Sequence, residues 1–141
     1  MTDKVGELTV LDAGVLIALA LDESSATGLS QKIISHPGLF ACTEIGLCEL
    51  SYILCRRLSW GKTWKKTQSL IESSAVTIIP THILWTEAAR IKCNSSIALP
   101  DCFTIAAARL TKGRAMFARR EKELVDAVKR KQITDAIEYL E

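Results

Sequence analysis

Short β-prone runs alternate along this chain with longer stretches whose apolar residues recur at helical spacing. Leu8-Thr9-Val10-Leu11 ends in Asp12 and is followed by apolar Ala13 to Leu21, which predicts a strand, a turn and a buried helix. A second helix is expected over about Ser24 to Ser35, stopped by His36-Pro37-Gly38, and Leu39-Phe40-Ala41-Cys42 predicts a second strand. Thr43 suits an N-cap. The helix it opens carries Ile45, Cys48, Tyr52 and Cys55 at helical spacing, the expected apolar face, and ends on Arg56-Arg57, a charge suited to a helix C-terminus. Gly61 predicts a break nearby, Trp64 to Ser74 a helix, and Val76-Thr77-Ile78-Ile79 before Pro80 a third strand. Thr81 to Cys93 reads as helix and Asn94-Ser95-Ser96 as a loop. Pro100 suits the first turn of a helix from Asp101 to about Thr111, which Lys112-Gly113 ends. Ala115 to Ala118 predicts a fourth strand, Glu121 to Lys131 a helix, and part of Ile133 to Tyr139 a fifth strand.

Strands alternating with helices predict an α/β fold: a parallel sheet covered on both faces, with ligands bound outside the carboxyl ends of its strands. No repeat or linker interrupts the 141 residues, so one domain over 1–141 is expected. With 48% hydrophobic and 24% charged residues, the composition excludes a disordered or coiled-coil chain. No apolar run reaches the roughly 18 residues of a membrane span. Met1-Thr2-Asp3-Lys4 lacks the basic-then-apolar order of a secretion signal, so the expected location is cytoplasmic, without membrane attachment. Five cysteines without a C-x-x-C pair, and only two histidines, offer no zinc spacing. They are expected to be reduced thiols that serve as small buried apolar side chains, Cys48 and Cys55 among them.

Formal charge is only +2, but it is unevenly spread: Arg109 to Lys131 holds nine basic and three acidic residues, net +6, leaving −4 for the rest. A solvated helical face and a polyanion-binding surface both fit that cluster.

Four acids fall where the predicted fold would put chemistry. Asp12 ends the first strand, Asp101 opens a helix, Glu49 lies beside the apolar face of the Thr43–Arg57 helix, and Glu121 follows the fourth strand. Taken singly, they are ordinary: an N-cap explains Asp12, capping or a helix-dipole contact explains Asp101, an edge salt bridge explains Glu49, and Glu121 is the least distinctive. Taken together, carboxylates at the crevice ends of several elements repel one another unless a cation neutralises them. All-oxygen ligands favour a hard ion, Mg²⁺ or Mn²⁺, and paired ions of that kind suit in-line attack of water on a phosphodiester.

The segments Leu11-Asp12-Ala13-Gly14-Val15-Leu16-Ile17, Cys48-Glu49-Leu50, Leu99-Pro100-Asp101-Cys102-Phe103-Thr104-Ile105-Ala106-Ala107-Ala108 and Phe117-Ala118-Arg119-Arg120-Glu121-Lys122-Glu123-Leu124 resemble, in order, the successive motifs of the PIN-domain family. The resemblance spans nearly the whole chain. It implies a three-layer α/β/α sandwich with a mostly parallel five-stranded sheet and an acidic Mg²⁺ or Mn²⁺ ribonuclease site, often that of the toxin in a VapBC-type pair. RNA, an antitoxin protein and a second copy of the chain are the partners it implies. Asp12 and Asp101 match the principal metal-binding aspartates, and Glu49 matches the helical glutamate. Glu121 stands where the family usually has aspartate, Arg119 where Ser or Thr is common, and Gly14 where Ser, Thr or Asn often supports the first aspartate.

The leading expectation is therefore a metal-dependent endoribonuclease with Asp12, Glu49, Asp101 and Glu121 as metal-holding catalytic residues. The alternative, motivated by Gly14, Arg119 and Glu121, is a PIN-like module that binds RNA or protein with little or no turnover. A dinucleotide-binding domain is disfavoured, since no G-x-G-x-x-G turn follows the first strand. Arg114, Arg119, Arg120 and Lys122 are the expected sequence-independent RNA contacts. Trp60 and Trp64, four apart among Arg56, Arg57, Lys62, Lys65 and Lys66, leave three uses open: core burial, RNA stacking, or a protein interface.

Overall fold

A computed structural model describes residues 7–140; the expectation drawn from Met1 to Lys4 lies outside the described residues. Five strands, β1 (Thr9–Leu11), β2 (Phe40–Thr43), β3 (Thr77–Ile79), β4 (Arg114–Phe117) and β5 (Ala136–Tyr139), form one sheet in the order β3-β2-β1-β4-β5. All four pairings are parallel, with Val10 opposite Ala41 on one side and Ala115 on the other. Seven helices cover it: α1 (Ala13–Ala20), α2 (Thr27–Ser35), α3 (Glu44–Arg57), α4 (Trp60–Glu72), α5 (Trp85–Asn94), α6 (Leu99–Thr111) and α7 (Lys122–Lys129).

The three layers follow from strand periodicity, since successive side chains point to opposite faces. Val10, Ala41, Ala115 and Phe117 join Ala88, Ile91, Ile105 and Leu124 in one core, under α5, α6 and α7. Leu11, Phe40 and Cys42 join Leu16, Ile33, Leu50 and Leu54 in the other, under α1, α2 and α3. α6 is buried without a break from Cys102 to Ala108, and Ala106, Ala107 and Ala108 let it sit close to the sheet. Its end needs a special backbone: Lys112 is left-handed at φ 55, and a Cβ on Gly113 would overlap the carbonyl of Leu8, to which Arg114 N–H donates at 2.9 Å.

Several local expectations are corrected. The buried stripe of α3 runs through Gly46, Leu50 and Leu54, while Cys48 and Tyr52 are exposed and Cys55 is only half-buried. The longer aliphatic side chains offer more area to bury, so they set the helix rotation. Cys93 is exposed as well, which leaves Cys42 and Cys102 as the buried thiols, raised by that burial to about 12 and about 11. The break expected near Gly61 falls at Leu58-Ser59, between α3 and α4, and Gly61 itself lies in the first turn of α4, where Ser59 Oγ accepts from Lys62 N–H at 3.2 Å. Trp60 and Trp64 are exposed, because Thr63 and Thr67 form the buried edge of that helix. The helix expected from Thr81 is a 3-10 turn over Thr81–Ile83 followed by α5.

Candidate functional site

β1 is the switch point of the sheet: the chain builds outward from it through β2 and β3, then returns to its other side for β4 and β5. Connections leaving β1 and β4 diverge there and open a crevice at the carboxyl edge. Each predicted acid reaches that edge by a different element. Asp12 follows β1 directly, its N–H donating to Met116 O at 2.9 Å, and its Oδ2 accepts from Gly14 N–H at 3.2 Å, so it does cap α1. Glu49 stands on the second turn of α3, whose start is held at the same edge by Thr43 Oγ1 accepting from Gly46 N–H at 2.9 Å. Asp101 lies in the first turn of α6 but does not cap it; that position falls to Ala98, which makes no side-chain bond. Glu121 is the N-cap residue of α7 in the connection after β4, also without a side-chain cap bond.

Asp12, Glu49 and Asp101 each feel the neighbouring acids. Burial, and then the charges of Asp12 and Glu121, push Asp101 up to about 8. Burial raises Asp12 as well, by more than the Gly14 and Ala13 N–H groups lower it, and Asp12 and Asp101 act on each other's proton affinity. Glu49 is raised by burial and by the charges of Asp12 and Glu121. These are the shifts of acids crowded together without a counter-charge. Among the described residues, no three His, Cys, Asp or Glu stand close enough to chelate one ion by themselves. The donor chemistry is nonetheless that of a hard cation held by one or two carboxylates and otherwise by water, the habit of Mg²⁺.

Beside Asp12 opens a polar cavity of about 280 Å³, lined by Gly14, Glu23, Arg57, Arg119 and Glu121 among others. Arg57 is not among the expected RNA contacts. Its place at the end of α3 reads as a helix-dipole residue, and only the packing of α3 against α1 brings it here. Gly14 also has a packing reason: a Cβ there would stand 3.0 Å from Ala118 Cβ and 3.4 Å from Asp12 Oδ2, too tight for a hydroxyl or amide side chain unless the connection after β4 moves.

Of the four basic residues expected to meet RNA, Arg119 lines this cavity. The Arg120 guanidinium lies 4.4 Å from the ring centre of Tyr139, and Lys122 pairs with Asp126 at 3.2 Å. Arg114 is not brought to the crevice. It opens β4 at the amino edge of the sheet, opposite Asp12, and its guanidinium is held by Glu7 at 3.1 Å and Glu138 at 2.6 Å. Arg109 is bound similarly by Asp135 and Glu87 at 2.7 and 2.6 Å. Much of the basic cluster thus holds the fold together.

A family model described as the PIN domain matches residues 9–119, from β1 through the connection after β4. The chain belongs to the PIN-domain family. PIN domains are generally nucleases and typically use divalent metal. No curated protein matches this PIN domain in sequence. Solved structures match it in fold. The DNA-bound VapBC of Salmonella typhimurium superposes with a TM-score of 0.72 at 13% identity, over 95% of this chain and 98% of that one. VapBC2 of Rickettsia felis, bound to a DNA fragment from its promoter, gives 0.69 at 14%, over 94% and 98%. A toxin–antitoxin complex from Klebsiella pneumoniae gives 0.61 at 18%, over 82% and 89%. Among the described residues, no helix is long and apolar enough to cross a membrane.

Proposed function

We propose that this PIN domain is a metal-dependent endoribonuclease, the toxin of a toxin–antitoxin pair. The observation that carries the reading is the convergence of Asp12, Glu49, Asp101 and Glu121, from four separate elements, on the crevice at the switch point of the sheet. Asp12 and Asp101 would hold a Mg²⁺ or Mn²⁺ ion directly, with Glu49 and Glu121 acting through its water ligands. Such an ion supplies an activated water and stabilises charge on the phosphodiester oxygens. The protein's own groups do the rest. The carboxylates fix where attack occurs, and the raised proton affinity of Asp12, Glu49 and Asp101 means that a cation competes with protons for them. Arg57 and Arg119, on the cavity beside Asp12, are placed to take the phosphate's negative charge. Arg114 is left out of this role, since its guanidinium is committed to Glu7 and Glu138.

The pairing with an antitoxin is supported by the VapBC and toxin–antitoxin complexes that share the fold. It is also supported by an apolar groove of about 500 Å³ between α1, α2, α3 and α4, lined by Leu16, Leu19, Ile33, Ile34, Leu50 and Leu54 and rimmed by Lys65 and Lys66. An apolar helix with an acidic flank fits it. A second copy of the chain has the exposed Ile83 and Trp85 on which to dock.

The deciding experiment is cleavage of labelled single-stranded and structured RNAs with Mg²⁺, Mn²⁺ or EDTA, by wild type and by folded Asp101→Asn. Metal-dependent cutting that disappears in Asp101→Asn is the expected result. Binding without cutting by either protein would replace this reading with the RNA- or protein-binding module, for which Arg119 and Glu121 are the departures to examine first.

A further inference from the structure

The α3–α4 corner carries aromatic surface that the nuclease reading does not use. Trp60 and Trp64 are 57% and 51% exposed, and their rings stack on each other with centres 6.1 Å apart and planes inclined by 28°. On α3, Tyr52 is also exposed and holds the Arg56 guanidinium 4.9 Å from its ring centre. Charge goes with the rings. Between Glu49 and Glu72 the chain has five basic residues, Arg56, Arg57, Lys62, Lys65 and Lys66, and no acid. The corner also adjoins the crevice, since Arg57 lines the cavity beside Asp12 and Trp60 follows only three residues later, within about 11 Å along the backbone.

We propose that this corner is a stacking platform for single-stranded RNA, on which Trp60 and Trp64 take bases while Arg57, Lys62 and Lys65 take the phosphates of a strand entering the crevice. Exposed indole faces among cations suit unpaired bases, whose faces are free to stack, and do not suit a duplex, whose bases already stack on one another. Lys65 also rims the apolar groove that suits an antitoxin, but Trp60 and Trp64 do not line that groove, and their exposed rings among cations complement a nucleic-acid strand. The direction of the strand rests on the nuclease reading, but binding to the platform requires no turnover.

The test uses a Trp85→Phe background, so that indole fluorescence reports Trp60 and Trp64 alone. A short oligouridylate, and the same strand annealed to oligoadenylate, are titrated in EDTA, where nothing is cut. The expected result is quenching by the single strand and not by the duplex. Trp60→Ala/Trp64→Ala should weaken single-strand binding by roughly tenfold or more, measured by anisotropy of the labelled strand, with the melting temperature unchanged. Lys62→Ala/Lys65→Ala should lower the salt dependence of binding by a slope of roughly 0.7 per lysine. Unchanged affinity in the tryptophan variant, or no quenching in the parent, overturns the platform. So does a changed oligomeric state with unchanged RNA affinity, which assigns the face to a second copy. A protein that binds through the tryptophans but never cuts leaves the platform standing and removes the nuclease; cutting indifferent to both tryptophans does the reverse.

Discussion

Asp101 shows what a single residue contributes. Its carboxyl has an ordinary value of 3.8 and is raised to about 8 in the folded protein, by burial first and then by Asp12 and Glu121. Between those values the folded chain keeps a proton that the unfolded chain has released. Stability therefore falls as pH rises through that window, is undiminished below it and reaches its full loss above it. Asp12 and Glu49, also raised, act in the same direction. The metal-free protein should melt several degrees higher at about pH 5 than at about pH 8.5, and Asp101→Asn should flatten that slope and be the more stable protein at the higher pH, by on the order of a few kcal/mol. Thermal melts in EDTA across the range check it; an unaltered slope in Asp101→Asn would mean that Asp101 is already ionised when folded. The residue types and their order were legible in the sequence. Arg57 was not, because its neighbour in the cavity, Asp12, is 45 positions away and nothing local marks the encounter.

At the scale of elements, the site depends on how each helix starts. α3 begins where it does because Thr43 is buried and its Oγ1 accepts from Gly46 N–H, and that cap sets the height at which Glu49 meets the crevice. Thr43→Ala should cost roughly 1 kcal/mol, within about 0.5–2, and Thr43→Ser should recover most of it. Urea titration would show this as a lower midpoint with an unchanged m-value; a change in m would point instead to a loosened native state. The Thr43 cap was readable, as were the order and approximate place of every strand. The rotation of α3 was not. Ile45, Cys48, Tyr52 and Cys55 have helical spacing, but so do Leu47, Leu50 and Leu54, and the greater apolar area of the leucines decided between two stripes that periodicity alone rates alike.

For the whole molecule, the acids of the crevice are a cost that a cation should remove. A ligand that binds only the folded state stabilises it by mass action, so Mn²⁺ at about a hundred times its dissociation constant should add ~2.7 kcal/mol, reversed by EDTA and absent in Asp101→Asn. Differential scanning fluorimetry with and without Mn²⁺ measures it, and equal melting temperatures at saturating metal would count against a metal held here. The chain by itself determined the alternation of strand and helix, three acids at predicted element ends with Glu49 beside a helix's apolar face, and the resemblance to PIN domains, because hydrophobic period, turn residues and caps act between near neighbours. Only the tertiary structure decided that β1 lies between β2 and β4, that burial and neighbouring acids raise the proton affinity of Asp12, Glu49 and Asp101, that Arg114 is spent on Glu7 and Glu138, and that Trp60 and Trp64 face solvent. Each of these depends on which surfaces the packed layers bury together, and that competition is settled across the whole chain at once.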